Sequence, residues 1–460
     1  MKFCLRILFF IPAIFLLFAH GNIYAQSNFF IPAQEDAVFS KVILNSLEKQ
    51  YQQDISNLPV ENKKDLVKVY KTRWDNIQEI FTDKDIYFEK DTRKYLEILK
   101  AEILQANPVL QNLTFQCYFL KSGIPNAAYL GEGLILVNMG LFSQLQNESQ
   151  FAFILCHELA HYYLQHSENS IAKYVATLNS KEMQQELKNI KKLDYGKRKV
   201  VEDLVKGFTF DSRRHGRLHE SEADSMAIVF MKNTHFDMSE AITTLALLDS
   251  IDETNLDMDS TLQKMFNFQG FPFRKKWLAK EDGLLGGHAI LDKDESIEDS
   301  LKTHPDCQKR MQILEPVIEK YKNQSTINTR PGGQLKELAD RFRYEVIDHY
   351  YASGNYSKSL FYTIQLLKQY PSDPYLVTQV GKIFNGLYEA YNNHTLGKVI
   401  DLPAPYLEKN YNLLLQFIQN LYKEDFTAIG YHYLSQYANQ MQDYASFKST
   451  YQMSTVNFKN

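Results

Sequence analysis

The sequence is poor in tryptophan, poor in cysteine, and without a strong excess of either charge. Two Trp stand against 29 Tyr and 30 Phe. That aromatic load fits helical packing and peptide-binding grooves equally well, and composition cannot choose between them. The formal charge of −4 is spread along the chain with no basic stripe, so the electrostatic footprint of a nucleic-acid binder is missing. Of four cysteines, Cys4 lies at the extreme N-terminus. Cys117, Cys156 and Cys307 remain, an odd count with no Cys-x-x-Cys pair, which argues against a disulfide scaffold and against a thiolate zinc site. At most one bridge could form, and three buried thiols is the simpler expectation. Beyond the N-terminus no stretch approaches the ~20 apolar residues of a membrane-spanning helix.

The N-terminus itself is informative. Met1-Lys2 and Arg6 supply positive charge, Leu5 to Ala19 is almost unbroken apolar sequence, and Ile23-Tyr24-Ala25 offers a small residue ahead of Gln26. This is the pattern of a secretory signal peptide over residues 1–25; a retained N-terminal helix is the alternative. The mature chain is therefore expected outside the cytoplasm, periplasmic or secreted.

A chain of 460 residues is too long for one ordinary core, which points to two or three domains. Phe39, Ile43, Leu47 and Tyr51 recur every four residues and predict an amphipathic helix. Helical patterning returns over Asp65–Ile80 and Arg93–Gln105, and Asn107-Pro108 stops it. Leu113, Phe115, Cys117 and Phe119 then alternate as a strand. Ala127–Leu130 and Leu134–Val137 flank Gly131-Glu132-Gly133 as a hairpin. A long helix starts near Glu148. The lysine-rich stretch from Ser167 to Gly207 reads as a solvated helical face, another helix begins near Arg217, and Phe266–Gly287 looks like a loop or lid. Asn, Ser, Thr, Pro and Gly gather around Asn323–Gly333, which marks a boundary. The divisions are 26–106 (N-terminal helical part), 107–322 (core) and 334–460 (helical). In the last, Tyr350-Tyr351-x-x-Gly354-Asn355-Tyr356 resembles one tetratricopeptide-repeat corner, although such arrays need about three units and an ordinary helical bundle is the alternative.

The chemistry-bearing segment is His157-Glu158-Leu159-Ala160-His161. A spacing of four on a helix puts both imidazoles on one face, able to share a zinc ion, with Glu158 beside the open position. The competing reading is a helix with two surface histidines. A catalytic zinc takes a third protein ligand and keeps one position for water. Arg217-Leu218-His219-Glu220-Ser221-Glu222-Ala223-Asp224 supplies candidates: Glu220 completes a His₂Glu set, and Asp224, one turn on, can accept a ring N–H from a ligating histidine. His219 and Glu222 compete for the metal but point to other faces of that helix.

H-E-x-x-H followed by E-x-x-x-D resembles the metallopeptidase family of the CAAX prenyl endopeptidase, HtpX, the mitochondrial Oma peptidase and the periplasmic BepA-type proteases. Pro125-Asn126-Ala127 and the hairpin after it are similar to the family's active-site edge strand, and Ala223-Asp224 sits in its E-x-E-A-D context. His304-Pro305 with Arg310 is similar to its late H-P-x-x-x-x-R element. The resemblance covers about Asn107 to Glu315. Without membrane spans, the chain is closest in pattern to the soluble periplasmic branch.

The resemblance implies a zincin-like α+β domain, mostly helical, with a small antiparallel sheet; beyond it the residue pattern predicts an all-helical region, TPR-like or an ordinary bundle. The resemblance also implies one Zn²⁺ per chain on His157, His161 and Glu220, with Glu158 as general base. His304 and Arg310 would stabilise the tetrahedral intermediate. Extended or unfolded protein substrates would pair along Asn126, Ala127, Ala128 and Tyr129, and the C-terminal helices would take a protein partner. His304 or His288 could plug the resting site. An envelope-protein assembly or chaperone-like binding factor with a residual or self-inhibited zinc site is the competing function.

Overall fold

The computed structural model describes residues 30–34, 36–192, 216–251, 256–279, 307–321, 333–404 and 407–459. The signal-peptide segment, His288 and His304 lie outside them. The described residues are mostly helical around one small sheet, and none of their helices is long and apolar enough to cross a membrane.

The first two helices, Ala37–Asn57 and Lys63–Thr82, are held together by the four-residue apolar repeat. Ile43, Leu47 and Tyr51 are the buried face of the first, and Tyr51 stacks on Trp74 of the second with centroids 5.1 Å apart. Helix Lys90–Ala106 starts where the Glu89 carboxylate accepts the Asp91 and Thr92 N–H groups, and it stops at Asn107, ahead of Pro108.

The described residues contain four strands, the first of them between the second and third helices: β1 (Ile86–Tyr87), β2 (Gln116–Leu120), β3 (Ala127–Gly131) and β4 (Leu134–Asn138). Their order is β1-β2-β4-β3. β1–β2 and β3–β4 are antiparallel, but β2–β4 is parallel, so the sheet is mixed rather than wholly antiparallel. The reason lies in burial. β4 (Leu134-Ile135-Leu136-Val137-Asn138) is buried at every position and takes the interior place that an all-apolar strand requires. β3 is only partly buried and is left at the edge. The hairpin turn between them has positive φ at Gly131, Glu132 and Gly133 in succession. Glu132 has no glycine's freedom there, and Arg73 clamps its buried carboxylate at 2.8 Å.

The first helix after the boundary near residue 333 packs into the core that precedes it. Helix Gly333–Ala352 inserts Leu335, Leu338, Phe342 and Val346 into the same apolar cluster as Phe119, Phe142 and Phe151. Glu345 accepts from the Ala33 N–H, the Tyr87 hydroxyl and Arg341. The Tyr350 hydroxyl accepts the Gly123 N–H at 3.2 Å, which buttresses the turn leading into β3.

Residues 266–279, read from sequence as part of a loop or lid, are irregular but locked down. Trp277 is fully buried, Phe266 stacks on Phe417, and Asp425 takes both Arg274 and the Trp277 ring N–H. Cys117, Cys156 and Cys307 are buried. Cys156 belongs to the central cluster, so its place beside His157 is one of packing.

Candidate active site

The site is built on two helices. The first, Glu148–Tyr163, is started by Asn147, whose side chain accepts the Gln150 N–H. Every residue from Gln150 to Ala160 is buried, so this is a core helix rather than an amphipathic one. Two consecutive polar residues, His157 and Glu158, each 8 % exposed, therefore need partners. The second helix spans 216–231 and buries Ala223, Ala227 and Ile228, which turns Glu220 and Asp224 toward the first.

The structure brings His157, His161 and Glu220 together. The two Nε2 atoms are 3.1 Å apart, and each lies 3.5 Å from a Glu220 carboxylate oxygen. Two ligands bound tetrahedrally at ~2.0–2.1 Å stand about 3.4 Å apart, so these three donors have the spacing and the chemistry of a His₂Glu metal site. On its far side the His157 Nδ1 is 2.9 Å from Asp224 Oδ1, where a carboxylate orients a ligating imidazole.

Arg310 has different partners from those the resemblance implied. Its Nε and one terminal nitrogen donate to the two Asp224 oxygens at 2.8 Å each, and the other terminal nitrogen lies 3.0 Å from Glu220. At 3 % exposure, the guanidinium is engaged by two carboxylates and holds the ligand pair in place; a positioning role follows more directly than donation to an oxyanion. Glu158 turns instead to the sheet edge, where its Oε2 accepts the Tyr129 backbone N–H at 2.8 Å. Of the edge-strand residues, the structure thus places Tyr129 on Glu158 directly. Ala127 and Ala128 run alongside in register with Val137 and Leu136, and Asn126 closes the strand by accepting the Asn138 N–H.

The electrostatics keep Glu220 and His161 in ligating form but favour a proton on His157. Burial by itself would raise Glu220 and Asp224, yet His157 and Arg310 hold both below the usual carboxylate range. Burial and the neighbouring His157 press the His161 imidazole down to about 3, so it is neutral. Burial opposes protonation of His157 too, but Asp224 and Glu220 outweigh it and carry that ring up to about 10; a metal ion must displace its proton. Burial pushes the Glu158 carboxyl up, against His157 and the Tyr129 N–H, which makes it a stronger base.

His166 was not singled out in the sequence. Its Nδ1 sits 3.0 Å from the His161 Nδ1, behind a ligand candidate. The available signal was its position five residues after His161, across the left-handed Gln165.

A core helix with two histidines one turn apart, a carboxylate from a second helix, and a base lying on a sheet edge define a zincin-like metallopeptidase. Residues 91–318 match the family model described as Peptidase family M48. Through this segment the chain belongs to peptidase family M48, whose members are metal-dependent. A search of curated proteins finds no match. The matched segment spans β2–β4, both motif helices and Arg310.

Proposed function

We propose that this protein is a zinc endopeptidase that hydrolyses peptide bonds in extended segments of exported, misfolded or unfolded proteins. The carrying observation is the contact between Glu158 and Tyr129: the base of the His157–His161–Glu220 cluster lies against the backbone of β3, which among the described residues is an edge strand. A substrate that adds to β3 by main-chain hydrogen bonds is thereby delivered to the base with little demand on its side chains.

His157, His161 and Glu220 hold the metal, with Asp224 and Arg310 fixing the orientation of His157 and Glu220. A zinc ion held there would lower the pKa of a water molecule and polarise the scissile carbonyl. Glu158 Oε2 takes the proton of the attacking water and passes it to the leaving amine. The Tyr129 N–H keeps that carboxylate aimed until substrate arrives. The export reading rests on the N-terminal apolar segment, and a partner-binding role for the C-terminal helices rests on the corner at Gly354-Asn355, where the Asn355 side chain caps the next helix.

The test is hydrolysis of an unfolded protein by wild type and by Glu158→Gln. General-base loss lowers kcat by roughly 10²- to 10⁴-fold while zinc uptake persists. An unimpaired variant would contradict the assignment and favour the assembly-factor reading.

A further inference from the structure

The helix 216–231 gathers donor atoms twice. Glu220 and Asp224 share the face toward His157; His219 and Glu222, three residues apart, share another. That second face meets His166, the first residue of helix His166–Asn179. His166 Nε2 lies 3.2 Å from Glu222 Oε2. Its ring stacks on His219, with centroids 4.2 Å apart and planes 7° from parallel. One donor atom from each of the three residues lies within 4.8 Å of the other two. His166 is buried, His219 is partly exposed and the Glu222 side chain is 62 % exposed. The cluster therefore has one rigid inner donor and two arms that reach solvent.

We propose that His166, His219 and Glu222 form a second divalent-cation site, suited to zinc, whose occupation weakens the first. Two imidazoles and a carboxylate are the donor types zinc accepts. Stacked rings aim their nitrogen lone pairs along parallel planes, so His219 must turn about its side-chain bonds to close the site. Its partly exposed position permits that turn. The second site is consequently the weaker, since the first already has its donors 3.1–3.5 Å apart.

The two sites communicate through His161 and His166. With His161 Nε2 given to the first metal, its Nδ1 carries a proton and donates to His166 Nδ1, 3.0 Å away. His166 Nε2 then carries the other proton and faces Glu222. A cation arriving at Nε2 displaces that proton to solvent and withdraws electron density from the ring. His166 Nδ1 becomes a poorer acceptor, and His161 loses part of the support that makes it a strong ligand. Excess zinc therefore inhibits. This consequence, unlike the site itself, rests on the peptidase reading.

The experiment is equilibrium dialysis of the full chain against rising concentrations of Zn²⁺ alone, with wild type, His219→Ala, Glu222→Gln and Glu220→Ala. Wild type takes up a tight equivalent and then a weaker second one. His219→Ala and Glu222→Gln lose only the second, and Glu220→Ala keeps the second. Hydrolysis by wild type falls over the concentrations that fill the weaker site, and His219→Ala escapes that inhibition. A wild type that saturates at one equivalent, or a His219→Ala variant that binds both unchanged, overturns the proposal. A weaker equivalent lost in His219→Ala, with no hydrolysis at any zinc concentration, upholds the site and sinks the peptidase reading instead.

Discussion

Replacing Arg310 with Met removes a guanidinium and keeps an unbranched side chain of similar reach. The Arg310 and Asp224 side chains are 4 % and 2 % exposed, so water cannot replace the two 2.8 Å hydrogen bonds the change removes. Among the described residues Asp224 would keep only His157 beside it, and Glu220 would lose the nitrogen 3.0 Å away. Breaking one side of a buried ion pair costs about 3–5 kcal/mol, because the remaining charge is left uncompensated. Glu220, 28 % exposed, regains some hydration and contributes the smaller share. The assay is urea unfolding with chelator present, so that metal affinity does not enter, with fluorescence and circular dichroism required to give coincident transitions. The same change is then made in an Asp224→Asn background. With the buried anion already gone, Arg310→Met should cost at least about 1.5 kcal/mol less there. Costs equal to within ~0.5 kcal/mol in the two backgrounds would refute the claim that Arg310 acts by neutralising Asp224.

Peptides long enough to pair along the five residues of β3 should show higher kcat/KM than dipeptides with the same scissile bond, and equal values would count against strand addition. Gly140→Ala puts a methyl group into the carbonyl of Gly123; a loss of roughly 1–3 kcal/mol is expected in the same unfolding assay, because backbone lines the space. Cys117, Cys156 and Cys307, all buried, should resist alkylation until the protein is unfolded. Rapid labelling of Cys156 in the native protein would reopen a redox role for it.

How much of this was legible in the sequence varied with the range of the interaction. His157 and His161 declare themselves because helical geometry turns a spacing of four into a shared face. The pairing of Glu220 with Asp224 is legible for the same reason. The parallel placement of β4 beside β2 is not local: alternation marks the strands, but it is the complete burial of β4 that sends it to the sheet interior. Arg310 shows a similar limit. Its sequence neighbourhood says nothing of Asp224, and only the packing of helix Cys307–Tyr321 into the core brings the guanidinium onto that carboxylate. The shift in composition near residue 333 is genuine, yet Phe342 and Glu345 reach back across it to Phe119 and Tyr87. A linker signal in composition carries no information on what the following helix packs against. His166 was hidden because a lone histidine bordering the lysine-rich stretch looks like part of a solvated face until Gln165 turns it behind His161.

The most direct test of the central claim is the zinc retained after exhaustive dialysis, measured by elemental analysis in wild type and Glu220→Ala. One tightly held zinc per chain, lost in the variant, is the predicted result. A wild type that holds no zinc and cannot take it up, or a variant that retains it undiminished, would contradict the assignment of His157, His161 and Glu220 as the metal centre.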